Sequence, residues 1–282
     1  QMNTDYKNKD KNADISQSVE SDNPRQSAIQ TMRRHDKYKP SGVEWIGEIP
    51  EHWKLQKLKY EALIQSSNVD KKIIENEIEV LLCNYLDVYK NEFINSSFTF
   101  MNATATIEEI KKFKVEKGDV LLTKDSETPN DIASPAIVIE DLENVICGYH
   151  LAIFRPNESI DGRFLAKLIQ LDKINHTFQR RANGITRFGL TKETLESTLI
   201  YLPPLPEQQK IAQILSTWDR AIEQTEKLIE KKQRLKKGLM QQLLSGKVRF
   251  PEFVNNYLIK ETKIGKYPDE WKVIKIRDIA NV

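Results

Sequence analysis

Cysteine is scarce: the 282-residue chain has two, Cys83 and Cys147, far apart and in no CxxC pattern. That excludes a disulfide scaffold and a cysteine-rich zinc site, and suits a reducing compartment. The four histidines, His35, His52, His150 and His176, show no HExxH or other ligand spacing, so no metal is expected. No apolar run reaches about 18 residues and no signal-peptide core occurs, which predicts a soluble cytoplasmic protein with no membrane contact. The Asn-x-Ser/Thr matches at Asn95 and Asn175 are then chance. Neither GxGxxG nor GxxxxGK[ST] occurs, so nothing here binds a dinucleotide or ATP. Pro203-Pro204 lacks the Asp or Asn before it and the aromatic after it that an amino-methyltransferase needs, and no site for S-adenosylmethionine is expected. Charge of one sign is also lacking: 43 basic residues stand against 41 acidic ones. Any nucleic-acid binding must therefore come from local patches.

Residues 1–38 are polar, without apolar periodicity, and read as a disordered tail. Order is expected from near Pro40. Strand-like runs follow around Trp53 to Leu58, over Ile78–Tyr89, at Val120–Thr123, at Pro135–Glu140 and over Val145–Pro156. A short helix is predicted near Ile107–Phe113 and a longer one over residues 162–182, where Phe164, Leu165, Leu168, Ile169, Leu171 and Phe178 supply an apolar face. Strands and helices are mixed without regular βαβ alternation, so the block reads as α+β.

Pro203, Pro204 and Pro206 predict a stiff, extended, polyproline-like lead-in. From Glu207 to about Leu244 no proline and only Gly238 interrupts a helical pattern. Ile211, Leu215, Trp218, Ile222 and Ile229, with Thr225 between the last two, follow the 4-3 spacing of a coiled-coil seam. The seam then drifts by one residue to Leu228, Leu235, Leu239 and Leu243. Ser245-Gly246 supplies a stop. Such a helix is roughly 57 Å long and needs a partner along its length. Acids exceed bases up to Glu226. From Lys227 to Arg249 the bases Lys227, Lys231, Lys232, Arg234, Lys236, Lys237, Lys247 and Arg249 face one acid, Glu230. Two copies packed antiparallel would set acidic half against basic half.

An internal repeat organises the rest. Ile46-Gly47-Glu48-Ile49-Pro50-Glu51-His52-Trp53-Lys54 returns as Ile264-Gly265-Lys266-Tyr267-Pro268-Asp269-Glu270-Trp271-Lys272. Lys57, Leu58 and Ala62 return as Lys275, Ile276 and Ala280, in the same register. The string Pro268-Asp269-Glu270-Trp271-Lys272 superficially spells a nuclease motif, but its acids are adjacent and its twin, Pro50–Lys54, sits at the repeat opening, so it reads as structural. The lead-in LPPLPEQQKIAQIL, the helix ending LLSGKVRF and the recurring WIGEIPEHWK opening resemble the specificity subunit of type I restriction-modification systems. The resemblance covers residues 39–282. It implies recognition domains that alternate with long antiparallel helices, each domain reading one half of a bipartite double-stranded DNA site. It also implies methyltransferase subunits as partners, a motor-nuclease subunit reached through them, no cofactor and no catalysis in this chain.

On that reading residues 39–206 form a recognition domain, 207–246 a spacer and dimerisation helix, and 247–282 a linker and the start of a second recognition domain. With one full recognition domain the chain is expected to act as a half-subunit homodimer through Ile211, Leu215, Trp218, Ile222, Ile229, Leu235, Leu239 and Leu243. The alternative is an adaptor that binds no DNA and docks proteins along its helix. For DNA contact, Lys173, Arg180, Arg181, Arg187 and Lys192 form an acid-free basic stretch interleaved with His176, Phe178 and Phe188. Arg187, beside Thr186 at the tip of the loop NGITRFGL, is the first candidate for a base edge, because arginine can hold guanine in bidentate fashion. Arg180 and Arg181 are candidates for phosphate. The loop TKDSETPND adds Lys124, Ser126, Thr128 and Asn130, and Tyr85, Lys90, Tyr149 and His150 are weaker candidates.

Overall fold

The computed structural model describes residues 37–256, 258–263 and 265–279. Residues 1–36 of the expected disordered tail, and Ile264 and Ala280 of the repeat, lie outside them. Among the described residues the first strand opens at Tyr38, slightly before Pro40. The chain divides after Gln208 into two compact units.

In the first unit a ribbon of β1 (Tyr38–Pro40) and β2 (Glu48–Pro50) is antiparallel. A second ribbon pairs β3 (Lys54–Lys57) with β14 (Leu199–Leu202), bringing the two ends of the unit together. Between them lies a five-stranded sheet. It contains β4 (Ala62–Ser66), β6 (Phe93–Ile94), β8 (Val120–Thr123), β10 (Pro135–Val138) and β12 (Leu151–Pro156), in the order β4-β12-β8-β10-β6. Only β10 and β6 run parallel. Every residue of β8 and β10 is buried. These strands read as unbroken apolar runs because both faces of the sheet are covered.

On one face Leu121, Ala136, Val138, Leu151 and Ile153 join a buried cluster with Leu82, Cys83, Val88, Phe113 and Ile146. Those partners come from a three-stranded sheet of β5 (Ile78–Cys83), β7 (Met101–Ala105) and β11 (Val145–Cys147), and from α1 (Tyr85–Tyr89) and α2 (Ile107–Phe113). Strand alternation turns Val120, Leu122, Ile137, Ala152 and Phe154 the other way. There α3 (Gly162–Gln170) packs against β8 and β10. Asp161 caps α3, its Oδ1 accepting from the amides of Arg163 and Phe164 at 2.9 and 3.1 Å.

The expected α+β class holds, and four local expectations are corrected. The run Ile78–Tyr89 is strand only to Cys83. Asn84 and Asp87 then form a capping box, with the Asn84 amide donating to Asp87 Oδ2 at 2.7 Å, and open α1 instead. The run Val145–Pro156 is two strands, broken where Gly148 N donates to the Cys83 carbonyl at 2.9 Å. The helix over 162–182 breaks at Leu171, whose ψ of 126° is extended, into α3 and α4 (Asp172–Arg181). The proline rod does not form. A helix, α6 (Leu205–Leu244), starts at once after Pro203-Pro204, and Pro206 sits in its first turn, where a missing amide costs nothing. Between α4 and β14 lies α5 (Lys192–Ser197).

Gln208 fixes the beginning of α6. Its fully buried side chain donates to the carbonyls of Pro203 (2.9 Å) and Ser159 (3.0 Å) and accepts from the Asp161 amide (3.0 Å).

The second unit holds the rest of α6. Leu215, Trp218, Ile222, Leu228, Ile229, Leu235 and Leu239 are exposed, and Ile211 and Leu243 are half-buried. Leu235, Leu239, Met240 and Leu243 line an apolar groove of about 370 Å³ with Lys232 and Lys236 beside it. Gly246 ends the helix at φ +71°, against the Pro268 ring. The sequence repeat is also a repeat of local geometry. β15 (Ile259–Thr262) and β16 (Gly265–Pro268) form a hairpin that ends at a proline, as β2 does. The amide of Trp53 donates to Pro50 O at 3.0 Å, and that of Trp271 to Pro268 O at 2.9 Å. The 3-10 turn Leu58–Tyr60 returns as Ile276–Asp278. In the first unit Leu58 is fully buried and Trp53 stacks on Tyr201, with ring centroids 5.5 Å apart. In the second, Ile276 is 72% exposed, and residues 272–275 pair with no strand among the described residues.

Candidate nucleic-acid interface

Four segments that are far apart in sequence meet at one end of the five-stranded sheet. Strand pairing brings the first two together. Because β8 and β12 are antiparallel with Thr123 opposite Leu151, the residues just after β8 lie beside those just before β12. The amide of Lys124 accordingly donates to His150 O at 3.0 Å. The parallel pairing of Cys147 with Cys83 then sets Tyr149 and His150 near Tyr85 at the start of α1. The fourth segment is the loop 183–189. Its last residues form β13 (Phe188–Gly189), which pairs with β9 (Asp125–Ser126), Phe188 opposite Ser126. The two loops singled out in the sequence are thus the two strands of one ribbon.

The loop is pinned at its neck. Asn183 and Gly189 exchange both backbone hydrogen bonds, at 3.0 and 2.9 Å. Gly184 has φ +144°, and a Cβ there would collide with the Arg187 carbonyl, so this turn requires glycine. The tip carries Ile185, Thr186 and Arg187, all exposed.

Arg187 does not hang free. Its Nε and Nη2 lie 3.1 and 3.0 Å from Asp125 Oδ1, and Nη2 lies 3.2 Å from His150 Nδ1. His150 Nδ1 is itself 2.8 Å from the same carboxylate oxygen. The guanidinium is thereby oriented through one edge, and among the described residues no protein group accepts from Nη1. Aromatic rings surround this group. Tyr85 stacks on Tyr89 with centroids 5.4 Å apart and meets His150 edge-on at 6.4 Å, and Tyr149 meets His150 edge-on at 4.4 Å. Burial raises the Tyr85 hydroxyl above its ordinary pKa. Tyr89 is raised because its hydroxyl donates to Asp131 Oδ1 at 2.5 Å.

The remaining candidates divide. Thr128, Asn130, Arg180 and Lys90 are exposed. Ser126 is buried, and its Oγ accepts from the Thr128 amide at 3.3 Å. Lys124 turns inward: its Nζ reaches the Ser67 carbonyl at 2.5 Å and lies 5.1 Å from the Tyr149 ring centroid, and burial lowers its pKa. Arg181 is tied to α5 through Ser197 Oγ at 2.7 Å. Sequence reasoning missed Asp125, Tyr89 and Ile185. The acid sits inside the string TKDS, where its neighbours drew attention as DNA-contacting types. Among the described residues no group of three or more His, Cys, Asp or Glu could hold a metal ion, and no helix is long and apolar enough to cross a membrane.

A mixed α/β unit followed by a long helix is the class these features define. The chain belongs to the family described as the type I restriction modification DNA specificity domain, whose family model matches residues 64–233, more than half of the sequence. A protein assigned as the specificity subunit of type I restriction enzyme MjaX, from Methanocaldococcus jannaschii, is 28% identical over 240 residues, covering 82% of this chain and 53% of that protein. The type I restriction enzyme MjaVIII specificity subunit of the same organism is 24% identical over 234 residues, covering 83% and 50%. This chain therefore spans about half the length of the curated relatives it matches. A chain from a solved type I R-M system assembly has the same fold, with a TM-score of 0.51 at 17% identity, covering 79% of this chain and 51% of that one.

Proposed function

We propose that this chain is the DNA-reading, non-catalytic component of a type I restriction-modification system. The observation that carries the reading is the convergence of four separate segments on one sheet end, where they lift one braced arginine, Arg187, into solvent. Family membership and the names of the relatives support it. In this reading residues 39–206 recognise one short element of a bipartite duplex site. Arg187 and Thr186 take base edges, and Arg180, Lys90, Thr128 and Asn130 contact the backbone. Arg181, Lys124 and Ser126 hold the reading edge in shape. Residues 207–246 set spacing and pair two copies, and 247–282 begin a second recognition unit. Methyltransferase subunits dock on the assembly, and a motor-nuclease subunit joins through them. The chemistry stays on those partners, and a methyl acceptor base would be flipped out to reach them.

Pairing through α6 is supported by its exposed seam, by the opposed charge of its two halves and by the groove at Leu235, Leu239 and Leu243. Sedimentation at micromolar concentration should give a dimer, and Leu235→Glu with Leu239→Glu should give a monomer. A wild-type monomer would sink the dimer.

The function is tested by selection from a randomised duplex library, with and without the methyltransferase partner, across a salt series. Two short elements at fixed spacing, lost on Arg187→Ala, are expected. One element alone would mean a half subunit that does not dimerise. No enrichment with the partner present would favour the protein-docking adaptor.

A further inference from the structure

Ile185 is 94% exposed, more than any other large hydrophobic side chain among the described residues. A flexible loop could fold such a residue back. This loop cannot do so easily, because its neck is closed by the Asn183–Gly189 pair, its first turn is packed under the Arg187 carbonyl, and its far side is paired to β9. The fold holds an isoleucine in water, two residues from the arginine aimed at base edges.

We propose that Ile185 is a specificity-determining residue that reads the 5-methyl group of a thymine within two base pairs of the guanine held by Arg187. The inference rests on the DNA-reading function proposed above. An isoleucine cannot exchange hydrogen bonds with a base edge. The thymine methyl is the apolar feature that the major groove presents, and it lies in the same groove as the guanine O6 and N7 that an arginine grips. The reach fits: Ile185 and Arg187 share the bend at the loop tip, and two residues span at most about 7 Å even when fully extended, so both side chains fall within about two base-pair steps of one another at about 3.4 Å per step. Burying one methyl against an aliphatic side chain should change affinity on the order of three- to tenfold.

The test uses the full chain and the element found by selection. Each thymine is replaced in turn by deoxyuridine, which deletes the methyl and leaves the hydrogen-bonding edge unchanged. One replacement, near the guanine whose loss is masked by Arg187→Ala, should weaken wild-type binding three- to tenfold. Ile185→Ala should weaken the thymine duplex by a similar factor and become indifferent to the replacement, so that the two changes do not add. Ile185→Val should keep most of the methyl response. Because the side chain is exposed, both variants should melt as the wild type does. The inference is overturned if no deoxyuridine weakens binding, if Ile185→Ala remains equally sensitive, or if the element has no thymine within two base pairs of guanine. It is overturned as well if Ile185→Ala abolishes a duplex bend without any methyl dependence, which would make the residue a wedge. Failure to select any element would overturn the DNA reading itself, and this inference with it.

Discussion

Asp125 and Arg187, sixty-two positions apart in the chain, share one oxygen: Oδ1 of the aspartate lies 3.1 Å from Nε and 3.0 Å from Nη2 of the arginine. The aspartate side chain is 15% exposed and the arginine 54%. The acid is therefore a fixed seat, and the base is the part offered to solvent.

If that seat aims the guanidinium, Asp125→Ala should cost more in discrimination than in overall DNA affinity. Preference for guanine at the Arg187 position should fall by about 1–3 kcal/mol, while binding to unrelated DNA should stay level or rise as an acid leaves the edge. Competition binding with single-base variants of the selected element measures both. Equal loss on all sequences would mean that the aspartate only supports the fold.

Gly184→Ala should reshape the same loop from within. Its φ of +144° disfavours any side chain, and a Cβ would strike the Arg187 carbonyl. We expect a stability loss of about 1–3 kcal/mol, read as a lower urea midpoint, together with loss of sequence-specific binding.

Gln208→Ala removes all three hydrogen bonds of a fully buried side chain and leaves the Pro203 and Ser159 carbonyls and the Asp161 amide unmet. Destabilisation of about 3 kcal/mol is expected. Its effect on DNA discrimination, measured at a temperature where the variant is folded, should be small.

Cys83 and Cys147 are buried, and burial pushes both thiols well above their ordinary range. For an acid the sign is clear: the folded state keeps its protons where the unfolded state would lose them. The thiol contribution is fully present below the unfolded thiol pKa of about 8.5 and is lost as pH rises above it, by up to about 1.4 kcal/mol per pH unit for each thiol. Urea midpoints between pH 7.5 and 10 should fall more steeply for the wild type than for Cys83→Ala with Cys147→Ala. A thiol reagent should react only on unfolding.

Local signals in the sequence were good guides where neighbours along the chain decide the outcome. The buried run Val120–Thr123, the capped helix Ile107–Phe113 and the long helix ending at Gly246 all declare themselves within a few residues. Apolar content misled at Tyr85–Tyr89, because two polar side chains, Asn84 and Asp87, outvote it by satisfying the first turn. The prolines misled because the start of α6 depends on Gln208 finding partners some 50 residues back. The same holds for the proposed reading edge. Arg187 and the TKDS loop could each be picked out alone, yet their pairing through β9 and β13, and the choice of Asp125 over solvent, are set by strand register across the sheet.

Two cations that the sequence offers to DNA are held by neutral protein groups: Lys124 by the Ser67 carbonyl, and the exposed Arg181 by Ser197 of α5. A third, Arg187, carries its counter-charge with it. On the proposed DNA-reading function, an edge whose leading arginine brings its own acid gains less from displacing ions off an arbitrary duplex, since a phosphate that is not neutralised forgoes about 0.9 of a unit in the salt slope. In kinetic terms, a weaker grip on random DNA would shorten each wrong encounter. Residence time would then accumulate where the base edges fit.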